Sequence, residues 1–130
     1  MFSRRTVLAA TLVCGAAFAL PAQAADQANF TMKAFQAAQA AGKPVVVEVH
    51  ADWCPVCTKQ KPISAQLRAK PEFKNVAFFV VDFDGQADAL KTLRVTKQST
   101  MISFKGKAEK SRSTGVTDPA KIEQLFRSAL

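Results

Sequence analysis

The chain has 130 residues, 18 Lys and Arg against 10 Asp and Glu, a formal net charge of +8 and three cysteines. Its length suits one small domain with one core, and its few cysteines cannot staple a disulfide scaffold. The basic surplus is spread over Lys33, Lys43, Lys59, Lys70, Lys91, Lys105 and Lys121 with no interleaved run of aromatics. This argues against a nucleic-acid platform and for a solvated basic surface suited to acidic partners or anionic lipid.

In chain order, Arg4 and Arg5 precede an uncharged run from Thr6 to Leu20, and Pro21 leads into the small-x-small pattern Ala22-Gln23-Ala24. Charged, apolar, then processed is the order of a secretory signal, and the run is shorter than the roughly 20 residues of a spanning helix. Residues 1–24 are therefore expected to leave on export to a bacterial periplasm. Residues 25–130 then form a 106-residue domain of formal charge +6. Ser3-Arg4-Arg5-Thr6-Val7-Leu8 resembles a twin-arginine signal without its usual Phe and trailing Lys, so the export route stays open. Cys14 leaves with the signal, and Val13 is too large for a lipoprotein site.

Asn29 is expected to cap a helix from Phe30 to about Ala41, ended by Gly42. Val45–Val49 reads as a strand apolar on both faces. Ala51-Asp52-Trp53 leads into Cys54-Pro55-Val56-Cys57, with Pro55 at the first turn of a helix running to about Lys70 and kinked by Pro62. A strand from Val76 to Phe83 and a short helix over Gln86 to Leu93 follow. Thr100–Lys105 and Glu109–Thr114 form a hairpin through Gly106. Asp118-Pro119 opens a last helix with Ile122, Leu125, Phe126 and Ala129 as its apolar stripe. Alternation followed by a hairpin predicts an α/β fold, a mixed central sheet of about four strands with helices on both faces.

The chemistry concentrates at Cys54 and Cys57. A cysteine at a helix N-terminus faces unpaired N–H groups and the positive end of the helix dipole, which favour a thiolate. Such a thiolate attacks a partner's disulfide, and a second thiol one turn on can resolve the mixed disulfide. The plainer reading is a stabilising disulfide, but so short a loop contributes only about 2 kcal/mol. A third reading uses the two thiolates and His50, the single histidine, to bind copper(I) or zinc. A closed zinc site needs four ligands, so Glu48 or a second chain would have to complete it. A fourth, an inactive adaptor, sits poorly with an intact pair. No phosphate-cradling Gly loop and no flavin or nicotinamide fingerprint is present, so no cofactor is expected.

Glu48 is out of place in an apolar strand: buried, its pKa rises and it becomes a proton relay; on an edge, it is an ordinary solvated acid. His50, four residues before Cys54, either tunes the thiolate or is a polar surface residue. Trp53 either shields the pair and contacts partners or simply packs.

Trp53-Cys54-Pro55-Val56-Cys57 directly after a strand, Pro62 in the following helix and the closing hairpin and helix resemble the thioredoxin family over Pro44 to Leu130. The family's first strand has no clear counterpart before Phe30. The resemblance implies a thioredoxin fold, with Cys54 as nucleophile, Cys57 as resolver and Glu48 as the acid beneath them. It places Phe78 where a lysine often accompanies that acid. It places Ser99 where a cis-proline is expected, and a cis bond before serine costs about 2.5–4 kcal/mol, so a trans bond and a reshaped loop are expected. Trp53, Pro55, Val56, Gln98, Ser99 and Thr100 would line the partner groove. The implied activity is a thiol-disulfide oxidoreductase, placed in the periplasm by the signal pattern and expected as a monomer. Its dithiol form would reduce disulfides in exported proteins and be recharged by a membrane thiol-disulfide reductase, while Pro55 after the first cysteine also occurs in oxidases and glutaredoxins, so the direction stays open.

Overall fold

A computed structural model describes residues 24–130. The export-signal reading of residues 1–24, Cys14 included, lies outside the described residues except for Ala24. Among the described residues, five strands and four helices follow one another as β1 (Gln27–Asn29), α1 (Met32–Ala40), β2 (Pro44–His50), α2 (Pro55–Arg68), β3 (Ala77–Asp82), α3 (Ala87–Leu93), β4 (Thr100–Lys105), β5 (Ala108–Thr114) and α4 (Pro119–Arg127). A single 3-10 turn, Pro71–Phe73, separates α2 from β3.

The sheet runs in the order β1-β3-β2-β4-β5. β3 is parallel to both β1 and β2, while β4 is antiparallel to β2 and β5. β2 therefore lies at the centre, which explains why it reads as apolar on both faces. Its alternation sends Val45, Val47 and Val49 into a core with Phe30, Phe35, Phe79, Leu93, Ile102 and Phe104. Val46 faces the opposite core, built from Leu67, Phe73, Phe78, Met101, Ile122, Leu125 and Phe126. Glu48, two residues on from Val46, shares that second face, beneath α2.

Two expectations are corrected. Asn29 does not cap the first helix: it ends β1, a fifth strand at the sheet edge, paired with Val80. The cap is Thr31, whose Oγ1 accepts a hydrogen bond from Ala34 N–H at 3.1 Å. Phe30 is consequently outside the helix, its N–H bonded to Val80 O at 2.8 Å and its ring buried against Phe35 and Phe79. Gln27-Ala28-Asn29 is too short and too polar to announce a strand; its place comes from pairing along β3. The second correction is β1 itself, since no clear strand was expected before Phe30; α2 ends at Arg68, close to the expected Lys70, because Pro71 disfavours a helical Lys70. Pro62 lies inside α2 without ending it. At α4 the expectation holds in detail: Asp118 Oδ1 accepts from Ala120 and Lys121 N–H, and Pro119 occupies the first turn.

Candidate active site at the start of the second helix

Cys54 is the N-cap of α2, in extended backbone conformation (φ −88°, ψ 111°). Pro55 follows at the first helical position, where its missing N–H leaves no bond unmade. This aims the free N–H groups of the first turn at the cysteine sulfur, and Cys57 N–H donates to Cys54 Sγ at 3.1 Å. Both cysteines are free thiols, exposed by only 1 % and 2 %. They pack with Ala51 in a small cluster covered by Val56 and Phe83.

The two thiols are driven apart. Burial pushes Cys54 up, but hydrogen bonding from the Cys57 thiol, from the Cys57 and Val56 N–H groups and from the Gln98 side chain outweighs it and brings the thiol below its ordinary value. Cys57 goes the other way. Burial raises it, donation to Cys54 adds to the rise, and the backbone at Ala51 and Ser99 only partly opposes. Its thiol points at Val49 O, 3.8 Å away.

Beneath the pair lies Glu48, its side chain 12 % exposed. Gln27 Nε2 donates to its Oε2 at 3.2 Å, and Arg68 Nη1 stands 3.8 Å from Oε1. Burial raises the Glu48 pKa, and the neighbouring Ser64 hydroxyl, Arg68, Gln27 and His50 pull against that rise. Oε1 and Ser64 Oγ are both buried without a hydrogen-bond partner among the described residues. A cavity of about 210 Å³ is shared by Glu48, Cys57, His50, Asp52, Gln60 and Lys61, among others. Glu48 and Cys57 thus face one cavity.

His50 lies on that cavity wall with its Nε2 3.1 Å from Asp52 Oδ1. It acts on Glu48, whereas the groups that lower Cys54 are Cys57, Val56 and Gln98. Trp53 is 57 % exposed. Its indole N–H donates to Asp84 Oδ2 at 2.8 Å and its ring meets Phe83 edge-on at 6.3 Å.

The loop before β4 completes the rim. No peptide bond is cis among the described residues, and Ser99 sits at φ 59°. Its N–H donates to Val49 O at 2.9 Å. Its carbonyl accepts from Gly115 N–H at 3.0 Å and from Gln60 Nε2 at 3.2 Å. Thr100 Oγ1 is bonded to Lys97 O and lies 3.0 Å from Thr114 Oγ1. The structure thus gathers Glu48, His50 and Cys57 around the cavity, with Pro55, Val56 and Gln98 beside Cys54 and Ser99 beside Cys57, whereas Thr100 is buried and turned to Lys97 and Thr114. Among the described residues no group of three or more His, Cys, Asp and Glu side chains is disposed to hold a metal ion, so the copper or zinc reading gains no support.

Sequence reasoning missed Gln27, Gln60, Ser64, Arg68 and Asp84. Two of them carried a signal. Gln60 and Ser64 fall at helical spacing with Cys57 and Leu67 on the buried stripe of α2, where polar side chains need partners. The other three reach the site only through tertiary placement.

Residues 26–128 match the family model described as thioredoxin. A thioredoxin of Mycoplasma pneumoniae is 34% identical over 86 residues, 66% of this chain and 82% of its own. Thioredoxin-2 of Saccharomyces cerevisiae is 32% identical over 95 residues, 72% of this chain and 88% of its own. The crystal structure of Trxlp from Edwardsiella tarda superposes with a TM-score of 0.76 at 40% identity, covering 78% of this chain and 98% of that one.

Proposed function

The chain belongs to the thioredoxin family and is a thiol-disulfide oxidoreductase, and from that premise we propose that it acts in the periplasm, reducing disulfides of exported proteins through Cys54 and Cys57. One observation carries the assignment of roles. The sulfur of Cys54 accepts a hydrogen bond from Cys57 N–H at the helix start, and the two thiols are shifted in opposite directions. The thiol with the lowered pKa is the attacking group; the one with the raised pKa stays protonated until it is needed.

The cycle then runs as follows. Cys54 thiolate attacks one sulfur of the partner's disulfide, forming a mixed disulfide and releasing the other sulfur, which takes up a proton. Cys57 loses its proton to Glu48 across the shared cavity, and its sulfur attacks Cys54. The second partner sulfur leaves as thiolate and is protonated. Two electrons pass to the partner, and a Cys54–Cys57 disulfide remains. A membrane thiol-disulfide reductase restores the dithiol. Periplasmic placement is supported by the signal pattern of residues 1–24.

Fractionation of cells producing the full chain tests the location: a periplasmic product beginning near Ala25 agrees, and an unprocessed cytoplasmic product overturns it. With the reduced domain, an oxidised exported protein should lose its disulfide at a rate abolished by Cys54→Ser. A Cys54→Ser variant as active as the wild type removes the mechanism.

A further inference from the structure

We propose that Gln60 is a positioning residue: its buried side-chain amide ties the cysteine-bearing helix to the Gln98–Thr100 loop and so sets the loop's place beside the cysteine pair. The inference rests on the exchange reading above and names a residue that reading does not use.

Gln60 sits three residues after Cys57 on the inward stripe of α2 and is 4 % exposed. A primary amide buried there is unfavourable unless its hydrogens find acceptors. Nε2 provides two, and both reach backbone carbonyls of remote loops: Ser99 O at 3.2 Å and Val116 O at 2.9 Å. One side chain thus joins α2 to the loop entering β4 and to the loop entering α4.

The loop needs such an anchor. Ser99 is in the left-handed region, disfavoured for a residue with a Cβ, and has no ring to restrict it. Its conformation is held by three bonds, from its N–H to Val49 O and to its carbonyl from Gly115 and Gln60. The bond from Gln60 is the one that comes from a side chain, and the one that refers the loop to the cysteine helix.

Loop position bears on both sulfurs. Val49 O accepts from Ser99 N–H and lies 3.8 Å from Cys57 Sγ, so the loop and the resolving thiol converge on one carbonyl. Gln98, one residue earlier, acts on Cys54 through its side chain. Both backbone polar groups of Ser99 are already engaged within the molecule. The residue offered to a partner at this point is therefore the half-buried Gln98, held where Ser99 is held.

The test is Gln60→Met, which keeps length and apolar volume and removes both donors. Wild type and variant are compared on insulin, a protein disulfide, with dithiothreitol regenerating the dithiol, and, reduced beforehand, in a single turnover on 5,5′-dithiobis(2-nitrobenzoate), a small one. Cys54 is titrated by its thiolate absorbance. The proposal expects KM for insulin to rise about tenfold with kcat within about twofold, the small-disulfide rate to stay within about twofold, and the Cys54 midpoint to move to higher pH as Gln98 loses its place. A purely structural role would lower the melting temperature alone. An unchanged insulin KM in folded Gln60→Met overturns the proposal. If the variant does not fold, the wild-type side-chain amide decides: Gln60 NH₂ protons that exchange as fast as those of the exposed glutamines also overturn it. Failure of the wild type itself to reduce insulin would instead remove the exchange reading.

Discussion

Arg68, in the last turn of α2, reaches back to Glu48 in the central strand, its Nη1 3.8 Å from Oε1. The same guanidinium stands 5.9 Å over the ring of Phe78, the residue at the position where the family resemblance places a lysine. The cation beside the buried acid thus comes from the helix, and the strand supplies an aromatic face for it to rest on. The acid keeps a positive neighbour through a different element.

Arg68→Met should therefore raise the Glu48 pKa further, since the guanidinium favours the ionised form. Fewer carboxylates are then available at neutral pH to accept the Cys57 proton. The pH profile of mixed-disulfide resolution should shift to higher pH, with a stability loss of about 2 kcal/mol, between the values for exposed and buried pairs. A profile that coincides with wild type would show that Arg68 does not act on the acid.

Glu48→Gln should slow resolution by about 10²-fold, the scale of a positioned proton acceptor. It should also stabilise the protein at neutral pH. The folded-state pKa of Glu48 is raised, so the folded form binds the proton more tightly and stability falls as pH rises from the ordinary carboxyl range through the raised value. Glutamine removes that penalty. Urea unfolding at pH 7 and pH 4 measures it: the gain should be present at pH 7 and smaller at pH 4. A gain of equal size at both would remove burial of the charge as its cause.

In Cys57→Ser, alkylation of Cys54 by iodoacetamide followed against pH should show a midpoint below that of an ordinary cysteine, because the backbone and Gln98 hydrogen bonds remain. In Cys54→Ser, Cys57 should react slowly and titrate above the ordinary value, since burial is its largest influence. Equal midpoints would erase the division between attacking and resolving thiol.

Asp84→Ala frees the indole of Trp53, the single tryptophan of the chain. The bond is exposed, so the loss of stability should be about 1 kcal/mol. Intrinsic fluorescence reports Trp53 alone and should change between the oxidised and reduced forms less in the variant than in wild type. An identical redox change would place Trp53 outside the influence of Asp84.

Much of this arrangement is legible in the residues. The valines of β2, the capping position of Cys54 before Pro55 and the Asp118-Pro119 start of α4 follow from local physics, since each uses neighbours in sequence. Glu48 stood out because a single acid interrupts an apolar run. β1 did not, because three residues without an apolar pattern become a strand only when β3 offers them a partner. Arg68 and Asp84 escaped for the same reason: each acts across 20 or 31 positions of chain on a residue it meets only in the fold. Ser99 was readable as a departure, and its trans bond was expected; the left-handed turn and the Gln60 anchor that accompany it were not.

The most direct test of the central claim is the reduction potential of the Cys54–Cys57 couple, measured on residues 25–130 by equilibration against dithiothreitol and glutathione buffers. A reductant of exported proteins predicts a reversible two-electron couple near that of thioredoxin, about −270 mV. A value near −120 mV would reverse the direction of every transfer described above, and the absence of a reversible couple would contradict thiol-disulfide exchange itself.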